Sequence, residues 1–305
     1  MQDPQLVDWL MSASTPSIRR FTLRRLLNRP QTDAEVQAAT REMEAAGPIP
    51  TILAGQTETG QWSGERGFYG PKFTSTHWSM VLLTELGADG GDPRFQRGVS
   101  YVLTATEKEP ALAATGREHR WQCLWGNLLR YALHGGQGND PRVERIVRYL
   151  VREGETGWTC APHNRGLPCA WGAARALWGL AALPAQQRSP EVESCIQGAL
   201  DFLLEGDRLV KGDYPTSGRV HALWSKLNFP LFYQADALFV LRAVAEAGAL
   251  DHPGAQSALD WLSARRGANG HWRGASPFSG RTWPFFSDRE ETSRWVSLQA
   301  AMVLR

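Results

Sequence analysis

The residues best suited to hold a metal ion fall in one short stretch. Cys160 and His163 have a Cys-x2-His spacing that lets one turn present two ligands, and Cys169 follows directly after Pro168. Cys123 lies upstream, so three of the four cysteines fall within 47 residues. In a reducing compartment such clustering points to metal binding or catalysis before disulfides. Three thiolates and one imidazole suit tetrahedral zinc, either closed and structural or with one exchangeable position. Positive helix amino termini would lower the thiol pKa values and favour the metal. The alternative is a set of buried, inert cysteines beside a loop histidine.

A second set has acid and base character. His77 precedes Trp78, His119 lies in Glu118-His119-Arg120, and Tyr233 and Asp236 share the run Phe232-Tyr233-Gln234-Ala235-Asp236. All but the His119 group sit within otherwise apolar stretches. A lone buried charge costs several kcal/mol, so such residues either face a cavity or are paired. The expectation is that Asp236 and His77 handle protons, with Tyr233 and His119 as further candidates. The competing reading is structural: an Asp236–Arg ion pair and a helix-capping histidine. Around these positions Trp78, Trp125, Trp171, Trp295 and Phe73, with Asn127 and Arg294, are expected to line a cavity, and the chain holds 13 Trp in all.

The elements that must position these residues repeat along the chain. An apolar helix begins near Thr76, a second near Cys123, a third near Cys169, a fourth near Tyr233 and a fifth near Thr292. Each of the first four is followed by a mixed-polarity helix opening at Asp92-Pro93, Asp140-Pro141, Ser189-Pro190 or His252-Pro253. Pro93, Pro141 and Pro190 are 48 and 49 residues apart, a period that means stacked or closed helical arrays. A helix apolar all round must be buried, and a mixed one covers it. Upstream, residues 3–46 read as amphipathic helices, with Leu6, Trp9 and Leu10 on one face and a start at Thr15-Pro16.

Between the units, Gln56-x3-Gly60-Gln61-Trp62 resembles the QW repeat of squalene and oxidosqualene cyclases, with degraded copies at Gly157-Trp158 and Gly270-His271-Trp272. The chain is similar in this respect to the terpenoid cyclase and protein prenyltransferase superfamily. The resemblance implies an all-α fold, an (α/α) toroid of about five to six hairpins over residues 49–305, with the helices of residues 1–48 packing on it or completing it. In that family the Gln caps a helix end, the Trp packs over the neighbouring repeat, and aromatic rings line the central cavity. The DxDD acid and the DDxxD diphosphate–magnesium motif are both missing, and the chain has no Asp-Asp pair at all.

The expected function is therefore an enzyme of cyclase, isomerase or lyase type, zinc-containing, acting on a small hydrophobic or aromatic molecule without those acid motifs. A non-catalytic toroid holding a hydrophobic ligand or protein segment, and a prenyltransferase-like transferase, are the alternatives. With 33 Lys and Arg against 31 Asp and Glu, no nucleic-acid partner is implied. No apolar run reaches the roughly 20 residues of a membrane span, and residues 1–10 lack a basic leader, so the expected location is cytoplasmic.

Overall fold

The structure is a computed structural model that describes residues 3–62, 67–108, 121–160, 164–215 and 221–305. It is all-helical; among the described residues, extended pairing is limited to isolated bridges such as Thr159 with Pro168. The amino-terminal helices are α1 (Pro4–Met11), α2 (Pro16–Phe21, continued by a π turn over Thr22–Leu26), α3 (Ala34–Ala45) and α4 (Pro48–Ala54). Then follow α5 (Thr76–Leu86), α6 (Pro93–Thr106), α7 (Gln122–His134), α8 (Pro141–Glu155), α9 (Ala170–Leu180) and α10 (Pro190–Leu204). The series ends with the short α11 (Arg208–Lys211), α12 (Ala237–Glu246), α13 (Gln256–Ala264) and α14 (Arg289–Val303).

The repeated starts form as their chemistry dictates. Asp92 and Asp140 accept from the amides of Arg94 and Arg142 at 2.7 and 2.8 Å, and a proline occupies the first helical position of α6 and α8. Ser189 and His252 cap in the same way. Every residue of α5 is buried, and every residue of α9 except Trp171. By contrast α8 buries only Val143, Ile146, Tyr149, Leu150 and Glu153, a stripe at helical spacing.

The buried helices pack in sequence, α5 on α7, α7 on α9, α9 on α12 and α12 on α14. The closest pair is α7 with α9, which run in the same direction. A Cβ on Gly126 would collide with the carbonyl of Arg175, and one on Gly179 would lie 2.5 Å from the carbonyl oxygen of Gly126. Glycine at both points lets the two backbones touch. The series also returns towards its start. α14 packs on α2, and Phe21 at the end of α2 meets the Trp295 ring of α14 at 6.1 Å and abuts Gly87 at the end of α5.

Buried Glu291 of α14 accepts from the amides of Ser14 and Thr15 at 3.1 and 3.0 Å, so the start of α2 is capped from the far end of the chain. The hydroxyl expected to cap there, that of Thr15, makes no cap bond. Arg294 corrects an expectation in the same place. It does not face a central cavity; it holds Glu291 at 2.6 Å and the carbonyl of Trp9 at 3.2 Å.

The QW-like segments behave alike at two places. Trp62 is buried, and its indole donates to the carbonyl of Ile52 at 2.6 Å; Trp272 does the same to Leu262 at 2.7 Å. Their amides bind hydroxyls of the next buried helix, Thr76 and Ser297. Gln56 donates to the carbonyls of Gly60 and Arg94, tying its turn to the first turn of α6. Trp158 is buried too, in the left-handed conformation at φ 60°.

Candidate functional site

The amino ends of α5, α7, α9 and α12 carry the sequence's candidate chemistry. Trp121 immediately precedes α7 and Cys123 lies in its first turn; Cys169 caps α9 and Trp171 is the second residue of that helix. The parallel run of α7 and α9 puts these pairs at the same level. Tyr69 comes from the loop before α5, and Tyr233 from the segment that leads into α12.

Their rings form a connected series. Tyr69 stacks on Trp121 at 5.6 Å and 25° and meets Trp78 at 4.7 Å. Trp78 meets Tyr233 at 5.9 Å, and Tyr233 meets Trp171 at 5.9 Å. Trp78 is fully buried and its indole donates to the Tyr69 carbonyl, while Tyr69, Trp121, Tyr233 and Trp171 are each partly open. The Lys72 ammonium lies 4.9 Å from the Tyr233 ring centre and 5.9 Å from that of Tyr69. The result is an aromatic cup with a cation at its edge.

The thiols gather beside the cup. Cys160 follows the turn after α8, where its amide donates to Leu167 and the Cys169 amide donates to Trp158. The two side chains hydrogen-bond to each other, and Cys123 is near enough to be affected by both. The Cys169 sulfur also accepts from the Gly172 amide at 3.4 Å. Burial outweighs the helix termini: the Cys123 thiol is pushed up to about 11 by burial and then by Cys160. Cys169 is raised as well, first by its hydrogen bond to Cys160 and then by burial. The sequence expectation of lowered thiol pKa values is thus overturned. Among the described residues no group of three or more ligands is arranged to hold a metal ion, and His163 lies outside them. His119 also lies outside the described residues.

The two expected proton carriers are occupied. Asp236 is the amino cap of α12, accepting from the amides of Phe239 and Asn228 and from the Asn228 side chain, each at 2.8 Å. Burial raises its carboxyl to about 6 against those lowering hydrogen bonds. His77 is fully buried, its Nδ1 is 3.2 Å from the Tyr131 hydroxyl, and burial followed by the Arg175 charge depresses its pKa to about 3. It is a neutral imidazole at pH 7.

The expected cavity-lining residues divide. Phe73 and Trp78 back the cup, with Phe73 4.9 Å from Phe232 and 4.5 Å from Phe278. Trp125 points the other way: it is buried, and its ring meets Tyr149 of the covering helix α8 at 5.7 Å. Trp295 stacks on Phe229 at 4.5 Å, at the opposite end of the buried helices. Asn127 is a tether, donating to the Phe232 carbonyl at 2.8 Å. The segment it holds, residues 229–234, is tied to α7 and α9, and its Phe229 and Phe232 rings meet Trp295 of α14 and Trp78 of α5.

Sequence reasoning missed Arg175, which is fully buried in α9 and donates to the Gln234 carbonyl and to Asn127. Its signal was present, since it is the only charged residue between Arg165 and Arg188. Glu85, buried at the end of α5 and paired with Arg242 at 2.8 Å, was missed as well.

No protein-family model matches the chain, and no curated protein matches it in sequence. Among the described residues, no helix is long and apolar enough to cross a membrane. The arrangement offers ring faces for an apolar or cationic guest, with neutral phenols and thiols as hydrogen-bond donors. Tyr69 and Tyr233 are both raised above the ordinary tyrosine range, by burial first and by Cys123 second, and so stay protonated at neutral pH.

Proposed function

We propose that the helices close into an (α/α) toroid of the squalene cyclase and prenyltransferase kind, with α5, α7, α9, α12 and α14 as the inner ring and α2 completing it. The returning packing of α14 on α2, the contact of Phe21 with α5, and the matched roles of Trp62 and Trp272 support this reading. On it, the aromatic cup holds a small apolar or aromatic molecule. The observation that carries the reading is the unbroken ring series Trp121–Tyr69–Trp78–Tyr233–Trp171, four of whose members are partly open.

A cyclase-, isomerase- or lyase-type step there would use the ring faces to stabilise positive charge. Tyr233 and Tyr69, as neutral phenols, would orient a polar group of the guest by hydrogen bonding, since Asp236 and His77 are committed to the fold. That same commitment favours a second reading, a toroid that binds a hydrophobic molecule without transforming it. Zinc on Cys123, Cys160, Cys169 and His163 remains a separate proposal: equal zinc by elemental analysis in wild type, Cys160→Ser and Cys169→Ser would end it.

Calorimetric titration with farnesol and with 2-naphthol tests the cup. One of them is expected to bind saturably, with at least about tenfold weaker binding in Trp171→Ala and Tyr233→Ala, the loss of roughly 1.4 kcal/mol or more of stacking. Unchanged affinity in both folded variants, or no saturable binding of either probe, overturns the reading. Product formation on prolonged incubation separates the enzyme from the binder.

A further inference from the structure

A second cation stands beside Lys72 at the mouth of the cup. Arg281 closes a turn by donating its amide to the Phe278 carbonyl at 2.9 Å, and the neighbouring Thr282 hydroxyl donates to the Phe73 carbonyl at 2.9 Å. This loop is thereby fixed against the back of the cup, and the Arg281 guanidinium lies 5.0 Å from the centre of the Phe73 ring. Phe73 and Tyr233 are nearly parallel, 10° apart at 6.5 Å, with the Lys72 ammonium 4.9 Å from the Tyr233 ring centre. Both cations are exposed, and among the described residues neither makes an ion pair or a side-chain hydrogen bond. By contrast Arg94, Arg130, Arg142, Arg242 and Arg294 each hold a carboxylate.

These groups say which part of a guest goes where. The ring faces take an apolar or planar aromatic body. The mouth offers positive charge: Arg281 acts on the Tyr233 phenol, and no carboxylate does so among the described residues. The amino ends of α5 and α7, which no side chain caps, lie at the same end of the bundle with their positive poles outward. Two solvent-facing cations suit one carboxylate, and the Arg281 fork matches its planar shape. A diphosphate would bring more charge than they carry, and among the described residues no group of three ligands is set to hold a metal ion that would offset the excess. Resting on the reading of the cup as a binding site, we propose that its guest is an amphipathic acid: an apolar or aromatic body lying on the rings of Tyr69, Tyr233 and Trp171, with one carboxylate held by Lys72 and Arg281.

Calorimetric titration of the full chain at neutral pH with 2-naphthoate, 2-naphthol and 2-naphthyl phosphate tests the proposal, because the three share a ring system and differ in head group. 2-Naphthoate is expected to bind saturably and about fivefold or more tighter than 2-naphthol, a modest margin because exposed charge contacts are weak. Adding about 0.5 M salt is expected to remove most of that margin. Lys72→Gln combined with Arg281→Gln changes two exposed side chains, so the variant is expected to keep its helical circular dichroism, lose the margin and bind 2-naphthol as wild type does. With farnesol or 2-naphthol still binding, equal affinity for acid and alcohol, no saturable binding of the acid, a margin that survives in the double variant, or tighter binding of 2-naphthyl phosphate than of 2-naphthoate overturns the acid and leaves the cup. Failure of every probe to bind, or 2-naphthoate binding that Trp171→Ala leaves unchanged, overturns both.

Discussion

Arg175 of α9 donates from Nε and Nη2 to the carbonyl of Gln234, at 3.0 and 2.6 Å, with its guanidinium 3.8 Å from the centre of the Phe239 ring. A fully buried cation thus fastens the backbone of the segment that leads into α12. Burial lowers its pKa to about 9, so it remains charged at neutral pH. Replacing it with Met keeps the volume but strands the Gln234 carbonyl and the Asn127 side-chain oxygen. Each stranded group costs about 1–3 kcal/mol, against which stands relief from burying the charge. Arg175→Met is expected to lose about 2–4 kcal/mol in urea unfolding; a variant as stable as wild type would remove Arg175 from this role.

His77 and Asp236 give the protein opposing pH dependences. The folded pKa of His77, about 3, lies below its ordinary 6.5, so the unfolded chain binds more protons between those values. Its contribution is complete above pH 6.5 and is lost as pH falls towards 3, on the order of 5 kcal/mol at full extent. For Asp236, raised from 3.8 to about 6, the contribution is complete below pH 3.8 and is lost as pH rises through 6. Between about pH 3.8 and 6 the two slopes cancel, because the folded chain holds a proton on Asp236 and the unfolded chain one on His77, so the pair makes the protein acid-labile chiefly below pH 3.8. His77→Asn, which can still bond Tyr131, is expected to uncover the Asp236 slope, with stability falling as pH rises from 4 to 6; stability–pH curves that run parallel for the two proteins would contradict the assignment.

Gly126 and Gly198 make a matched pair of substitutions with opposite signs. At Gly126 an added methyl meets the backbone of Arg175, which cannot yield without separating α7 from α9. Gly126→Ala is expected to cost about 3 kcal/mol or more, at or beyond the usual overpacking range. Gly198 lies on the exposed face of α10 with nothing near its missing Cβ. Gly198→Ala is expected to raise stability by about 0.5–1 kcal/mol. Equal effects at the two positions would show that α7 and α9 are not in backbone contact.

Trp62→Phe and Trp272→Phe each remove one buried indole N–H while keeping most of the ring. The carbonyls of Ile52 and Leu262 then lose their donor, at an expected cost of about 1–3 kcal/mol each. Because the two sites are far apart in the chain and built alike, the costs are expected to match and to add in the double variant. A large loss at one and none at the other, by thermal unfolding, would break the equivalence of the two segments.

What could be read from the sequence was local. Pro93, Pro141 and Pro190 marked helix starts because Asp92, Asp140 and Ser189 cap their own chain two or three residues ahead, a relationship that needs no partner. Trp62 and Trp272 were legible for the same reason, since each bonds a carbonyl ten residues back. What failed was direction. An apolar helix carries no mark of its rotation, so Trp125 was expected to face inwards and instead meets α8. Asp236 looked like an acid because its donors, Asn228 and Phe239, belong to a chain path that no periodicity announces. Of the site residues, Tyr233, Trp171, Cys123 and Cys169 do come together, because they share the amino ends of neighbouring helices.

The bond between the two ends of the chain gives a last test. Glu291 accepts the amides of Ser14 and Thr15, and Arg294 holds its carboxylate at 2.6 Å while bonding Trp9 and Ser12 of the amino-terminal segment. Glu291→Ala removes the acceptor from two amides at the start of α2 and leaves Arg294 without its short ion pair. Charge-assisted bonds of this kind contribute about 1.5–3 kcal/mol each. If the amino-terminal helices complete the ring, loosening them frees α14 as well. Hydrogen exchange is therefore expected to quicken in residues 14–26 and in 289–303 together, with α8 and α10 unchanged. Faster exchange in residues 14–26 alone would make α1 and α2 an appendage, and α14 the true end of an open array.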